Sequence, residues 1–319
     1  MNRILAICAL SVVGATLGAS PTMAQEYPKK QPIKIVVAAN AGGGADVLAR
    51  ITGQFLKDRL GQTVIVENKP GASGSIATDY VSKAPADGYT LLFCASELAV
   101  LPAVRTDMPY KFDELTYLTR LFNIPPLMFG SPALQINSTA ELVTYMKANP
   151  GKIKYGSTGA GAVVHLGMSS FESAAGVKGL HVPYTGIAPV YKDLLGGHVD
   201  ITEAAPPFPE GIKVLGTVGS KRHPGYPDRP TLEEIGVKGA TWDLWYGICA
   251  PPNLPKPIAD RLIAELTAVI KNPEAIAKYV AQTNVPPDGL SGDDFKSSVV
   301  ADYRKWKAVA DRENIKLKD

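Results

Sequence analysis

The chain has 319 residues, 45% of them hydrophobic and 20% charged, a globular balance that excludes wholesale disorder. Its 33 basic and 30 acidic residues leave a net charge of +3, with no basic run longer than two, so the electrostatic footprint of a nucleic-acid binder is missing. Gly 30 and Pro 26 recur without a period, which excludes collagen and favours a fold with many turns.

Met1–Ala24 has the make-up of a secretory signal: Arg3, the apolar run Ile4–Leu17, then Thr22-Met23-Ala24 with small residues at the cleavage site. The run falls short of the ~20 residues that span a bilayer. An exported, periplasmic protein is expected. That compartment permits a bridge between Cys94 and Cys249, but each lies in an apolar strand-like run, and the simpler expectation is two buried small hydrophobes.

Ile33–Ala38 is a β-branched run that predicts a buried strand, broken by Asn40-Ala41-Gly42-Gly43-Gly44. From Asp46 the period turns helical through Val47, Leu48, Ile51, Phe55 and Leu60, ending at Gly61. A strand at Thr63–Val66, a loop at Asn68–Gly74, a helix at Ser75–Ala84 and a strand at Thr90–Cys94 follow. The same order then recurs. Ser138-Thr139-Ala140-Glu141 caps a helix ending at Asn149, and Lys152–Tyr155 is a strand. Gly156–Gly161 is a second glycine loop, leading into a helix at Val163–Ala175. Strand Gly179–Pro183, loop Tyr184-Thr185-Gly186, helix Ala188–Leu195 and strand Val199–Thr202 complete the second set. Leu121–Pro132 and Ala204–Gly211 are proline-rich candidate crossings. Strand Leu244–Ala250 and helices from Pro257 and Ser291 are expected to pack back on the first lobe. The pattern predicts an α/β protein of two lobes, each a mainly parallel sheet flanked by helices, joined by two crossings. Lobe I takes residues 25–123 and 226–319, and lobe II takes 124–225.

A helix start leaves backbone N–H groups unpaired at a partly positive end, and glycine lets the turn before it approach an anion. Two such starts, Gly42–Asp46 and Ser157–Val163, are expected to line one cleft, with Asn40, Ser157 and Thr158 as side-chain donors. Asp46 is expected to cap its own helix or order a water, and His165 to pack or cap near the cleft. A dinucleotide fold is the sharpest alternative, since Glu67 ends the next strand where a ribose-binding acid sits. But Val47 stands where the third glycine should be. His165, His181, His198 and His223 form no close metal pair, there is no Cys-x-x-Cys, and Gly156-Ser157-Thr158-Gly159 is not a nucleophile elbow. No metal, cofactor or catalytic residue is expected.

Longer stretches carry a specific resemblance. They are Pro32–Val37 with Ala41–Arg50, Val66–Gly74, Ala86–Leu92, His165-Leu166, Val182–Gly186, Asp193–Asp200 and Trp245-Tyr246-Gly247. Over essentially the whole mature chain the protein resembles the Bug family of periplasmic solute-binding receptors of tripartite tricarboxylate transporters. The resemblance implies a two-lobed type II periplasmic-binding-protein fold, the Venus flytrap, with no catalysis. A small carboxylate would be held in the interlobe cleft and handed by a monomeric receptor to permease subunits in the membrane. A sensory module presenting the bound acid to a signalling partner is the other use of such a fold. Carried over, the ligand-binding set is Ala41, Gly42, Gly43, Gly44 and Asp46 in one lobe, to which the residue reading adds Asn40. In the other it is Ser157, Thr158, Gly159, Ala160, Gly161, His165, Tyr184, Thr185 and Gly186, with Ser96 and Glu203 at strand ends. The chain departs from the family at Asn40, where an aromatic residue is frequent, at Ala162, where a hydroxyl is frequent, and in the shortened Thr202–Phe208. The apolar content there, with Leu98 and Ala99, leans toward an acid with a hydrophobic body.

Overall fold

The computed structural model describes residues 27–317, so the signal-sequence reading lies outside the described residues. Ile33, Ile35, Val36 and Val37 are all fully buried in strand β1 (Ile33–Val37), which therefore shows no alternation. It pairs in parallel with β2 (Val64–Asn68) on one side and β3 (Thr90–Ala95) on the other. Helix α1 (Gly44–Leu60) links β1 to β2, and α2 (Ser75–Ser82) links β2 to β3. Helix α3 (Glu97–Val104) follows β3 at once. β4 (Thr116–Ile124) then closes the edge of the first sheet.

Pro125-Pro126 carries the chain into the second sheet at β5 (Leu127–Gly130). After α4 (Thr139–Ala148) come β6 (Lys154–Ser157), α5 (Val163–Ala175), β7 (Leu180–Pro183), α6 (Ile187–Leu195), β8 (Ile201–Ala204) and β9 (Lys213–Thr217). β10 (Leu244–Ala250) returns to the first sheet, followed by α7 (Lys256–Lys271), α8 (Pro273–Thr283) and α9 (Gly292–Arg312). The strand orders are β2-β1-β3-β10-β4 and β7-β6-β8-β5-β9. Parallel pairing holds the half of each sheet built by strand–helix–strand units. The strands that carry the chain between sheets pair antiparallel: β10 with β3 and β4, and β5 with β8 and β9.

Three expectations change. Ala204–Gly211 joins β8 to β9 within one sheet. The return passage lies between Thr217 and Leu244. Leu121–Pro132 does carry the chain from one sheet to the other, but only Pro125-Pro126 is the link; the rest is mostly strand, with the prolines between and after β4 and β5. Cys94 and Cys249 are joined by a disulfide with their Cα atoms 6.1 Å apart. The antiparallel register, with Gly247 opposite Cys94 and Cys249 opposite Leu92, puts the two thiols on one face of neighbouring strands. Helix α8 starts at Asn272 and Pro273, a cap and first-turn pair outside the elements expected above. The Asn272 side chain accepts from the Glu274 and Ala275 amides at 2.9 and 3.2 Å.

The disulfide closes a loop of 155 residues in sequence separation and ties the returning strand to the first lobe's centre. Replacing both cysteines by alanine is expected to cost roughly 2–4 kcal/mol. Urea midpoints of the two proteins, with and without reductant, check this. A wild-type midpoint indifferent to reductant would show that the bridge contributes nothing.

Candidate functional site

β1 and β6 end in the same turn, built twice. The Asn40 carbonyl accepts from the Gly43 amide, and the Gly159 carbonyl from the Ala162 amide, both at 3.2 Å. Gly43 and Ala162 then cap their helices with φ −73°, ψ 162° and φ −72°, ψ 162°. Between them Gly42 (φ +81°) and Gly161 (φ +72°) take the left-handed backbone that glycine adopts without strain. The amides of these two glycines are each taken by the side chain four residues on: Gly42 by Asp46 Oδ2 at 2.9 Å, Gly161 by His165 Nδ1 at 3.0 Å. The first helical bonds follow in register, Val47 to Gly43 and Leu166 to Ala162. The next amides have no partner among the described residues: Gly44, Ala45 and Asp46 in one turn, Val163, Val164 and His165 in the other. Each turn is thus a braced row of free donors at a helix start, suited to a carboxylate.

The braces differ in chemistry. Asp46 is buried and accepts from Gly42, Arg50 and Asn68 at 2.8–2.9 Å. Burial pushes its pKa up, but the Arg50 guanidinium and the Gly42 and Asn68 amides outweigh it and hold the carboxyl below the usual carboxylate range. His165 is held to about 4 by burial, with His181 and Lys178 adding to it. It is neutral at pH 7, and because Nδ1 accepts from Gly161 its proton sits on Nε2. Its ring stacks on His181 at 4.0 Å and 6°, and His181 stacks in turn on Tyr155. Ser157 Oγ lies 2.6 Å from His181 Nε2 and accepts from the Gly159 amide, so this buried hydroxyl shapes its own turn. Tyr184 donates to Asp193 at 2.7 Å and its amide to the Ser157 carbonyl, fastening the start of α6 to the second turn.

A profile of the family described as "Tripartite tricarboxylate transporter family receptor" matches residues 48–315. The chain belongs to this family. Protein BugT of Bordetella pertussis is 31% identical, the match covering 100% of this chain and 99% of that one. Among solved structures, a periplasmic transporter superposes with a TM-score of 0.82 at 30% identity, covering 92% of this chain and 100% of the other. R. palustris Rpa4515 with adipate gives 0.81 at 29%, covering 91% and 99%. The two mixed sheets and their flanking helices are accordingly the two-lobed type II fold of these receptors, which bind solutes and are not enzymes. No helix among the described residues is long and apolar enough to cross a membrane, and no cluster there of three or more His, Cys, Asp or Glu residues has metal-site geometry.

The receptor does not gather all the residues singled out in its sequence. Asn40, Ala41, Gly42 and Gly44 are exposed on the first turn, as is Ala160 on the second; Thr158 and Gly186 are half-buried, and Thr185 is exposed. Ser96 is buried and its Oγ accepts from the Trp245 amide at 2.9 Å. Glu203 is fully buried between α5 and Trp242, whose Nε1 donates to Oε2 at 2.8 Å while Oε1 has no partner. Gly167 of α5 leaves the room this carboxyl needs. Burial, against the Trp242 bond, pushes its pKa up to about 8, so it is protonated at neutral pH. Leu98 and Ala99 are turned into the core, which removes the argument they gave for a hydrophobic ligand body. Glu67, the supposed ribose-binding acid, is spent on Lys34 and Lys69 at 2.7 and 2.8 Å. Glu97, outside every motif, and Tyr246, within the Trp245-Tyr246-Gly247 motif, are half-buried at the same end of the first sheet as Gly42. The signal for Glu97 is plain in hindsight: it is the only charged residue from Thr90 to Val104.

Two pH dependences of opposite sign follow. His165 ionises at 6.5 unfolded and about 4 folded, so its stability contribution is complete above pH 6.5 and is lost as pH falls toward 4, about 3 kcal/mol at most. His165→Phe is expected to lose about 1 kcal/mol at pH 7 with the Gly161 bond and to flatten part of that acid slope. His181 and His223, also held below their ordinary values by burial, keep the rest. Glu203 ionises at 4.5 unfolded and about 8 folded, so its contribution is complete below pH 4.5 and is lost as pH rises through 8. Glu203→Gln is expected to raise Tm at pH 8.5 relative to wild type and to lose that advantage at pH 5. Thermal melts from pH 4 to 9 test both, and parallel wild-type and variant profiles would refute the assignments.

Proposed function

We propose that the receptor closes its two glycine turns on one carboxylate of a small organic acid and delivers the acid, as a periplasmic monomer, to a tripartite tricarboxylate-type permease. The observation that carries this reading is the turn built twice, each copy with three free amides and no cation in its own loop. A carboxylate needs several convergent donors, and two helix starts supply them without a lysine or arginine. The adipate bound by a 29% identical relative and the family's description support it. We take the lobes as 25–123 with 226–319, and 124–225. Closure shifts an open–closed equilibrium only if the acid touches both lobes, so neither turn alone suffices.

A thermal-shift series of mono-, di- and tricarboxylates against the mature protein tests this. A true ligand at a hundredfold excess over Kd stabilises by about 2.7 kcal/mol. Gly44 is the residue to change. It lies at the first position of α1, has helical backbone, and a Cβ there meets nothing within 4 Å. Helical side chains lean toward the N-terminus, so Gly44→Phe is expected to fold normally while covering the free amides and abolishing the ligand shift. A shift that survives in Gly44→Phe places the acid elsewhere.

A further inference from the structure

Glu97 stands where the parallel strands of the first sheet end. β3 finishes at Ala95, in register with β1, so Ser96 and Glu97 lie at the same end of the sheet as the first glycine turn. β10 begins at that end too, with Tyr246 opposite Ala95, and β4 leaves it for the second lobe. The crevice outside the carboxyl ends of the strands is where α/β sheets bind ligands. Glu97 is half-buried there and forms no ion pair among the described residues. Only its own backbone amide favours its charge, while burial opposes it and raises its pKa. Tyr246, also half-buried, feels both Glu97 from its own lobe and Tyr191 of α6 from the other. Tyr191 is anchored beside Ala205 and set edge-on to Phe129 in the second lobe. Glu97 and Tyr246 therefore stand at one end of the first sheet, with Tyr191 of the second lobe the nearest influence on Tyr246 from outside it and the buried Tyr110 on the core side of Glu97.

We propose that Glu97, with Tyr246 and Tyr191, is the specificity-determining contact of the cleft and receives an ammonium group. The ligand class is then a small amino acid whose carboxylate lies on the glycine turns. This inference rests on the carboxylate-binding reading above and adds its second pole. A half-buried carboxylate with no ion pair among the described residues favours a cation beside it. A free second carboxylate placed against Glu97 is repelled instead.

The test is a matched panel, titrated by calorimetry into the full mature protein at pH 7.5. At each chain length from three to six carbons it holds the straight-chain monocarboxylate, the α,ω-dicarboxylate, the ω-amino acid, the ω-hydroxy acid and the α-amino acid. Wild type is expected to bind an amino acid at least about tenfold more tightly than the monocarboxylate and dicarboxylate of its length. Glu97→Gln is expected to lose at least tenfold more affinity for that amino acid than for the monocarboxylate, with Tyr246→Phe showing a smaller loss in the same direction. Preference for a dicarboxylate or hydroxy acid in wild type overturns the proposal without any variant and leaves the carboxylate reading standing. An amino-acid preference undiminished in folded Glu97→Gln also overturns it. Silence across the panel overturns both readings together.

Discussion

Everything at the cleft depends on how a helix start is kept open to a ligand. The first amides of a helix are normally capped by a Ser, Thr, Asp or Asn just before them, which fills the space an anion needs. Here neither Gly43 nor Ala162 offers a side-chain cap. The brace comes from inside the helix, at Asp46 and His165, and reaches back to the glycine amide that precedes the cap. The turn is fixed and its leading donors stay free. One brace is an anion neutralised by Arg50, the other a neutral imidazole, so neither adds a net charge at the cleft. In the proposed site, recognition of an acid would be a matter of aligned dipoles, whose reach is short and whose geometry is exacting.

The passages between sheets are tied to the first sheet and to α9. β10 returns between β3 and β4 and is locked to β3 by the disulfide. The indole of Trp245 donates to Asp302 of α9 at 2.8 Å, and Lys305 of the same helix donates to the Thr241 carbonyl. Trp306 meets Trp242 edge-on at 6.0 Å, and Trp242 in turn holds Glu203 of β8. α9 thus packs on the first lobe and touches the second through a short chain of contacts. Beyond it the Leu317 amide donates to Val104 of α3 while the Leu317 side chain covers Gly161 of the second turn. The end of the chain joins one lobe's core to the other lobe's donor row.

What the sequence made legible was local. Glycine runs between a β-branched strand and a 3.6-residue period identified both turns, because each signal lies within one turn of chain. The capping box at Ser138 was equally readable: its Oγ accepts from the Glu141 amide at 3.2 Å. Strands β4 and β5 were not, since Pro125, Pro126 and Pro132 made their stretch read as a crossing. The Cys94–Cys249 pairing needed a register between strands far apart in the chain. Glu203 and Glu97 show the same limit in opposite directions. An acid near a strand end reads as a ligand contact, yet Glu203 is sealed under α5. An acid opening a hydrophobic helix reads as a helix charge, yet Glu97 is at the open end of the sheet. Only the packing of other elements distinguishes them.

His165 and Glu203 also offset each other in their effect on stability. His165 braces the second turn and favours a neutral ring, so it weakens the fold as acid rises. Glu203 sits where β8, α5 and Trp242 meet and favours a neutral carboxyl, so it weakens the fold as base rises. Their windows overlap between about pH 4.5 and 6.5, where protons leave the unfolded glutamate while they still bind the unfolded histidine. There the contributions of these two groups oppose each other. Neither group carries a charge at neutrality, so the turn and the sheet junction behind it hold their shape without an ion pair that salt screens.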